Sequence, residues 1–193
     1  MHPTLDIEMK NISRFIIKLF GWKLIGELPK DNKYVIISMP HTSMWDFIWG
    51  KFTFWGIGLT PAVFIKKELF FFPLGLLLKA LGALPIDRTK STGMVGQVIE
   101  HFNKNEKFSV CITPEGTRKR APKLKRGFYF IAKQANVPIF FGVLDYKKKI
   151  LMFGDRFMPT GDIEADMASI REYYTRLNPT GKHPEQFSLD SIQ

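Results

Sequence analysis

The chain has 193 residues, enough for one domain with a sizeable core, and its 28 basic residues outnumber its 18 acidic ones. The formal charge of +10 indicates an anionic partner: a nucleic acid, a membrane surface or a phosphorylated ligand. The 18 Phe residues cluster with Leu and Ile in apolar stretches and are not interleaved with basic residues. This pattern disfavours nucleic-acid binding through stacked bases and favours a lipid surface.

Cysteine content, the first residues and hydropathy together predict a cytoplasmic protein. The single cysteine, Cys111, excludes an internal disulfide and is typical of a reducing compartment. Asp6 and Glu8 occur early and no A-x-A cleavage signal follows, so we expect no secretory peptide. The longest apolar run, residues 52–65, is interrupted by Gly and Pro and falls short of the roughly 20 residues that span a bilayer. We therefore expect any membrane contact to be peripheral, on the inner face of the cell membrane.

The first predicted element is a helix within residues 9–25. Its apolar residues recur at helical spacing, at positions 12, 15, 16, 19 and 20, with Lys10, Arg14 and Lys18 on the other side. A basic stripe opposite an apolar one is typical of a helix that lies in a membrane interface. It is also typical of an ordinary amphipathic helix packed on a core, and the two roles can coexist.

Strand-like and helical patterns then alternate along the chain. The predicted strands cover residues 33–38, 62–65, 83–87, 108–113, 138–146 and 149–154. The predicted helices cover residues 44–55, 73–81, 91–104, 125–135 and 162–177. This alternation predicts an α/β fold: a single domain with a largely parallel mixed sheet covered by helices on both faces, preceded by the N-terminal amphipathic helix.

We predict one domain over residues 1–193, in three parts. Residues 1–30 are a membrane-interface helix region, residues 33–145 form the core that bears the motifs, and residues 178–193 are an irregular, loosely held tail. Residues 45–86 contain few charges and are more apolar than one surface helix needs. We expect part of this stretch in the core and part in an exposed patch for lipid or an acyl chain.

An ionisable pair, His41 and Asp46, lies in the aromatic stretch 39–50. Five residues rotate by about 140° on a regular helix, so these side chains would not share a helix face. They meet only if His41 lies in the turn before the helix, with Thr42 or Ser43 as cap, and Asp46 in its first turn. Asp46 then orients the imidazole as a base. The alternative is a capping aspartate beside an unrelated buried histidine, because so short a motif recurs by chance.

Two further stretches follow predicted strands and end in polar groups. Arg88 follows one strand, and residues 113–120 follow another. Because loops after parallel strands gather at one sheet edge, we expect these residues to converge with His41. Arg88 and Arg118 suit a bidentate grip on phosphate, and Gly116 allows close approach of the backbone to a ligand.

The run 117–126 contains six basic residues in ten. It is either a solvated loop and helix start, or a site for anionic headgroups or the phosphates of coenzyme A.

Together these stretches resemble the 1-acylglycerol-3-phosphate acyltransferase family, which includes the lysophosphatidic acid acyltransferases and their glycerolipid relatives. The four matching blocks are His41 and Asp46; Pro85, Ile86 and Arg88; Pro114, Glu115, Gly116, Thr117 and Arg118; and Val137, Pro138 and Ile139. The resemblance covers about residues 33–145. Departures from the family pattern are Pro40 in place of Asn, Thr113 in place of Phe, and Phe141-Gly142 in place of Pro and Val.

The resemblance implies an O-acyltransferase of phospholipid biosynthesis that moves a fatty acyl group from acyl-CoA or acyl carrier protein to 1-acylglycerol-3-phosphate. His41 is then the general base and Asp46 its partner. The implied substrate-binding residues are Arg88, Glu115, Gly116, Thr117 and Arg118, and the implied acyl-donor or acyl-chain region is Val137, Pro138 and Ile139. No cofactor is expected, and no metal, because the other histidines, His2, His101 and His183, show no ligand spacing.

Two other functions stay open. In one, the acceptor is another lysolipid, such as an acylated amino acid without a phosphate, because the departures leave the acceptor and the acyl donor undecided. In the other, the protein binds lipid without catalysis through its basic and apolar surface. The combination of His41, Asp46, Glu115 and Arg118 disfavours the second, since a binding protein needs no base.

Overall fold

The structure is a computed structural model that describes residues 7–87, 89 and 93–192. The helices in these ranges are α1 (Ile7–Leu19), α2 (Trp45–Ile57), α3 (Leu74–Ala80), α4 (Gly93–Lys104), α5 (Gly127–Ala135) and α6 (Ile163–Leu177). The strands are β1 (Lys23–Ile25), β2 (Lys33–Met39), β3 (Ala62–Lys66), β4 (Ala83–Ile86), β5 (Phe108–Ile112), β6 (Ile139–Asp145) and β7 (Ile150–Phe157). Short 3₁₀ helices cover Lys67–Leu69, Pro184–Gln186 and Leu189–Ser191. From residue 33 onward, every predicted strand and helix is present to within about three residues.

All seven strands form one sheet in the order β1-β7-β6-β2-β5-β3-β4. The strands from β6 to β4 run parallel to one another, β7 is antiparallel to β6, and β1 is parallel to β7. The prediction of a single α/β domain with a largely parallel mixed sheet is therefore confirmed.

Helices cover both faces of this sheet, as predicted. Alternate residues of β2 point to opposite sides, and Val35 and Ile37 pack in one core while Tyr34 and Ile36 pack in the other. The first core is completed by buried residues of α4, α5 and α6. The second face is covered by α2, and α1 packs beside α2 through Ile17, in a cluster that includes Leu144 of β6 and Leu151 of β7. Near-continuous burial of β2 is what a central parallel strand requires.

Helix α1 ends earlier than predicted. It stops at Leu19, Gly21 adopts a left-handed φ of 73°, and Lys23–Ile25 pair with β7 as an unpredicted strand. The buried face of α1 consists of Ser13 and Ile17. The apolar stripe read from the sequence points outward instead. We call its exposed members, Ile12, Phe15, Leu19 and Phe20, the α1 stripe.

The apolar stretch 45–86 divides as predicted between core and surface. Trp49, Phe54 and Ile57 of α2 are buried. A second set of side chains around α3 is exposed, namely Leu69, Phe71, Phe72, Leu76 and Leu77. No helix in the described ranges is both long and apolar enough to span a bilayer.

The final segment, residues 178–192, was expected to be loosely held, and the structure corrects this. Tyr146 donates its backbone N–H to Thr180 O at 2.8 Å, and the Arg171 side chain donates to Ile192 O. Ile192 itself is fully buried. The segment has little regular structure, but it packs against the domain because of these contacts.

Parallel strands bring three chain segments to one edge of the sheet. β2, β5 and β6 run in the same direction, so the residues after Met39, Ile112 and Asp145 lie at the same edge. His41 follows β2, Glu115 follows β5 and Tyr146 follows β6. We call this the carboxyl edge, and the candidate site lies there.

Candidate active site

His41 and Asp46 meet in the turn between β2 and α2. His41 precedes the helix and Asp46 is its second residue. This is the arrangement that the helical rotation between the two positions required for their side chains to meet. The distance from His41 Nδ1 to Asp46 Oδ2 is 3.3 Å. The carboxylate is buried, whereas the imidazole keeps 21% of its surface exposed. One imidazole nitrogen therefore faces the carboxylate while part of the ring remains open to a ligand.

Within the described part of the chain, three donors besides His41 hold the Asp46 carboxylate. The backbone N–H groups of Thr42 and Ser43 donate to Oδ2 at 2.6 and 2.7 Å, and the Tyr146 hydroxyl donates to Oδ1 at 2.7 Å. Burial pushes the pKa of Asp46 upward, but the hydrogen bonds from His41, Tyr146 and the two N–H groups outweigh it. The pKa therefore lies below its ordinary value. Asp46 is a carboxylate at neutral pH despite its burial.

The predicted helix cap is only partly present. Met44 occupies the N-cap position and makes no side-chain capping bond. Ser43 Oγ accepts from the Trp45 N–H at 3.2 Å, whereas Thr42 Oγ1 accepts from the His183 N–H at 3.2 Å. Asp46 binds the turn that precedes it, so the carboxylate orders the His41 turn from inside the helix.

Glu115 contacts the backbone N–H of His41. Its side chain is buried, and Oε1 accepts from the His41 backbone N–H at 2.9 Å. Oε2 is buried without a hydrogen-bond partner among the described residues. Burial, reinforced by the charge on Asp46, raises the pKa of Glu115 to about 8. Glu115 supports the backbone of the His41 turn through this bond, and its predicted contact with a substrate stays a prediction.

The other predicted substrate-binding residues follow Glu115 at the carboxyl edge. Gly116 has φ of 63°, and a Cβ on it would lie 2.8 Å from Lys125 Nζ, so glycine is needed for the turn. Thr117 and Arg118 are exposed. Arg88 lies outside the described residues, so its predicted convergence with Arg118 stays a prediction.

The structure does not bring Val137, Pro138 and Ile139 to the site. Ile139 opens β6 opposite Val35, so all three lie towards the other end of the sheet from His41. All three are buried, and Val137 and Ile139 belong to the core shared with α4, α5 and α6. Their packing is that of core residues, and their predicted role as an acyl-donor or acyl-chain region stays a prediction.

Tyr146 and the final segment were missed by the sequence reading. Tyr146 is the last residue of the predicted strand 138–146, so the rule that collects loops at the carboxyl edge could have included it. The final segment contacts the His41 turn: a Cβ on Gly181 would lie 2.7 Å from Thr42 Oγ1. The Gln186 side-chain amide lies between the carbonyl oxygens of Thr42 and Arg118. Nothing periodic in residues 178–193 signals this placement.

Metal binding and cysteine nucleophilicity would depend on other side chains than His41 and Asp46. Within residues 7–87, 89 and 93–192, no three His, Cys, Asp or Glu side chains come together as metal ligands. Burial raises the pKa of the Cys111 thiol to about 12, so it stays protonated at neutral pH. A protonated thiol in a strand is a poor nucleophile.

The buried Glu115 predicts a specific pH dependence of stability. The folded protein keeps a proton on Glu115 up to about pH 8, while the unfolded chain releases it above about pH 4.5. Folding takes up a proton between these values, so this group's contribution to stability falls as the pH rises through that window. Glu115→Gln keeps an oxygen for the His41 N–H and removes the titration.

We expect Glu115→Gln to gain on the order of 1–4 kcal/mol in unfolding free energy relative to the wild type between about pH 5 and pH 8.5. Urea unfolding at a series of pH values measures this difference. The control is Glu172→Gln, which changes an exposed glutamate of α6 and should follow the wild type. Parallel curves for Glu115→Gln and the wild type would contradict the assignment.

Comparison with known proteins agrees with the geometry. Residues 23–141 match the family model described as Acyltransferase. The chain is 35% identical over 132 residues to the 1-acyl-sn-glycerol-3-phosphate acyltransferase of Escherichia coli (strain K12). This match covers 63% of the chain and 52% of that protein, so the chain spans about half the length of the curated relative. The crystal structure of the 1-acyl-sn-glycerophosphate (LPA) acyltransferase PlsC from Thermotoga maritima shares the fold with a TM-score of 0.60 at 20% identity, over 88% of this chain and 76% of that one. Because the family model matches more than half of the residues of this chain, the chain belongs to the acyltransferase family.

Proposed function

We propose that this protein transfers a fatty acyl group from an acyl thioester to the free hydroxyl of 1-acylglycerol-3-phosphate, giving phosphatidic acid. The observation that supports this most is the His41–Asp46 pair: a buried, ionised carboxylate against a partly exposed imidazole in a chain of the acyltransferase family. The relative from Escherichia coli carries the same activity in its name.

The mechanism follows from the orientation of the imidazole. With Nδ1–H directed at Asp46, His41 Nε2 takes the proton of the acceptor hydroxyl as its oxygen attacks the thioester carbonyl. The tetrahedral intermediate then collapses, the C–S bond breaks, and His41 returns the proton to the leaving thiolate. Asp46 stabilises the imidazolium that exists between the two steps. No covalent acyl-enzyme is required, which agrees with the protonated state of Cys111.

The acceptor phosphate is assigned to the basic groups beyond Glu115. Arg118 is exposed at the carboxyl edge, and Lys119, Arg120 and Lys123 follow it on the surface. A guanidinium matches phosphate geometry with two hydrogen bonds, which fixes the hydroxyl relative to His41. Arg88 is proposed as a second phosphate ligand. The acyl donor is acyl-CoA or acyl carrier protein, and either would bring further phosphate charge.

The α1 stripe is proposed as a peripheral membrane contact on the inner face of the cell membrane. Phe15 and Leu19 are 65% and 67% exposed, while Ile17 on another face of α1 packs against α2. Lys18 is exposed beside the stripe, and Arg14 uses its side chain to bind Gly56 O at 2.7 Å. An uncovered apolar stripe with basic neighbours suits the headgroup region of an anionic bilayer. The exposed apolar residues around α3 are proposed as a second contact with the membrane.

His41→Ala should lower acyl transfer by about 10²–10⁴-fold, the usual contribution of a positioned general base. Acceptor-dependent release of thiol from the acyl donor measures this loss. His101→Ala is the control, because His101 stacks on Phe108, which lies at the opposite end of β5 from the carboxyl edge, and the change should not affect the rate. Liposome binding should be unchanged in both variants. Wild-type rates in His41→Ala would overturn the base assignment, and no transfer by the wild type would favour a lipid-binding protein.

An acceptor panel with one acyl donor tests the substrate. The expected kcat/KM for 1-acylglycerol-3-phosphate is about 10- to 100-fold above that for a monoacylglycerol or an acylated amino acid, since hydrogen bonds to a charged group contribute about 1.5–3 kcal/mol. Arg118→Ala should reduce this preference. Equal activity with and without the phosphate would favour another lysolipid as acceptor, such as an acylated amino acid, and would remove the role given to Arg118.

Phe15→Asp and Leu19→Asp should weaken binding to anionic liposomes in co-sedimentation, because each places a charge in the apolar stripe. Their melting temperatures should match the wild type, since exposed positions rarely change stability by more than about 0.5 kcal/mol. The matched control is Phe130→Asp, an exposed phenylalanine of α5 on the opposite face of the sheet. Equal binding by Phe15→Asp and Phe130→Asp would contradict a contact through α1.

A further inference from the structure

Among the residues that the structure describes, Tyr146 is the one donor to Asp46 that comes from outside both the His41 turn and the family match. The match ends at residue 141, while Tyr146 follows β6 at the carboxyl edge. Its hydroxyl is 100 residues away along the chain from the carboxylate it binds. The bond is therefore a tertiary contact and not a by-product of the local turn.

The two oxygens of Asp46 have separate partners. Oδ2 receives the Thr42 and Ser43 N–H groups and faces His41, while Oδ1 receives the Tyr146 hydroxyl. A carboxylate bound on both oxygens is prevented from rotating about its terminal torsion, which is broad for aspartate. Fixing Oδ1 therefore fixes the direction in which Oδ2 meets the imidazole.

The phenol is itself held in place. Its ring meets the Trp22 ring edge to face, with centroids 5.1 Å apart, and Trp22 packs on Trp49 of α2 at 5.0 Å. Its backbone N–H is bound by Thr180 O. Burial and the neighbouring carboxylate raise the pKa of Tyr146 far above its ordinary value, so the hydroxyl stays a donor. Tyr146 therefore has little freedom to move, because its ring packs on Trp22 and both its hydroxyl and its backbone N–H are hydrogen-bonded.

We propose that Tyr146 is a positioning residue of the acyltransferase, whose hydroxyl holds the Asp46 carboxylate so that His41 is presented to the acceptor in one orientation. Tyr146 touches no reacting atom and acts only through Asp46. This inference rests on the proposed function for its effect on rate, but the contact between Tyr146 and Asp46 can be tested without any assay of transfer.

Tyr146→Phe substitutes none of the other titratable groups around the pair. Glu115 faces the His41 backbone from the loop after β5. On the outer side, the final segment contributes Lys182, 5.0 Å from the Trp45 ring centroid, and His183, whose Nδ1 is 3.9 Å from Glu185. Differences between a Tyr146 variant and the wild type therefore report the lost hydroxyl.

The test variant is Tyr146→Phe, which keeps the ring against Trp22 and removes only the hydroxyl. We expect kcat to fall by roughly 10- to 100-fold, because small misplacements of a catalytic group have effects of that size. KM for both substrates should stay within about twofold of the wild type. The acid limb of the pH–rate profile should move to higher pH. Asp46 loses a hydrogen bond to its charged form in this variant, so its pKa rises.

The matched control is Tyr129→Phe. Tyr129 donates its hydroxyl to the buried Asp166 carboxylate at 2.9 Å, between α5 and α6 on the opposite face of the sheet. It loses the same kind of bond and should cost similar stability, but kcat and the rate profile should match the wild type. An equal loss of kcat in both variants, or a wild-type kcat in Tyr146→Phe, would overturn the proposal.

A second measurement separates the proposal from the proposed function. Carbon-13 NMR of the Asp46 carboxyl group should show its titration midpoint moving to higher pH in Tyr146→Phe and not in Tyr129→Phe. An unmoved midpoint would overturn the role of Tyr146. If the midpoint moves but the wild type transfers no acyl group, the contact with Asp46 is established and the proposed function fails.

Discussion

The buried carboxylate of Asp46 is the interaction on which the candidate site depends. A lone carboxylate in an apolar interior becomes protonated, because water is removed from its charge and nothing replaces it. Here the replacement comes from two backbone N–H groups, one phenol and the imidazole of His41. These donors keep the group ionised, and the same bonds order the turn that presents the imidazole. Charge and geometry at the site thus have one origin.

The parallel sheet explains how distant segments supply these partners. β2, β5 and β6 are neighbours that run in one direction, so His41, Glu115 and Tyr146 reach the same edge although the chain separates them widely. The direction of strand β6 also determines which of its two ends lies near the site. Ile139 at its start is buried in the core, whereas Tyr146 after its end contacts Asp46.

Much of this arrangement was predictable from the residues. The alternation of strands and helices predicted the sheet, and the helical rotation between His41 and Asp46 predicted the only geometry in which they meet. Glu115 was assigned to the substrate because the motif lists it beside Arg118, but its burial depends on packing that no short motif encodes. The end of α1 at Leu19 could not be read either, because it depends on Lys23–Ile25 pairing with β7, far along the chain. The contacts of residues 180–186 also involve distant parts of the chain, so no periodic pattern within these residues predicts them.

The boundary of the motif-bearing core has a practical meaning for anyone who shortens this chain. A version that stops at residue 145 would contain every sequence block of the family and would look complete on alignment. It would lack the phenol on Asp46 and the residues packed against Thr42, and also β7 and α6, which belong to the sheet and to one core. The extent of the folded domain is therefore defined by the partners of the site and of the core, and not by the last recognisable motif.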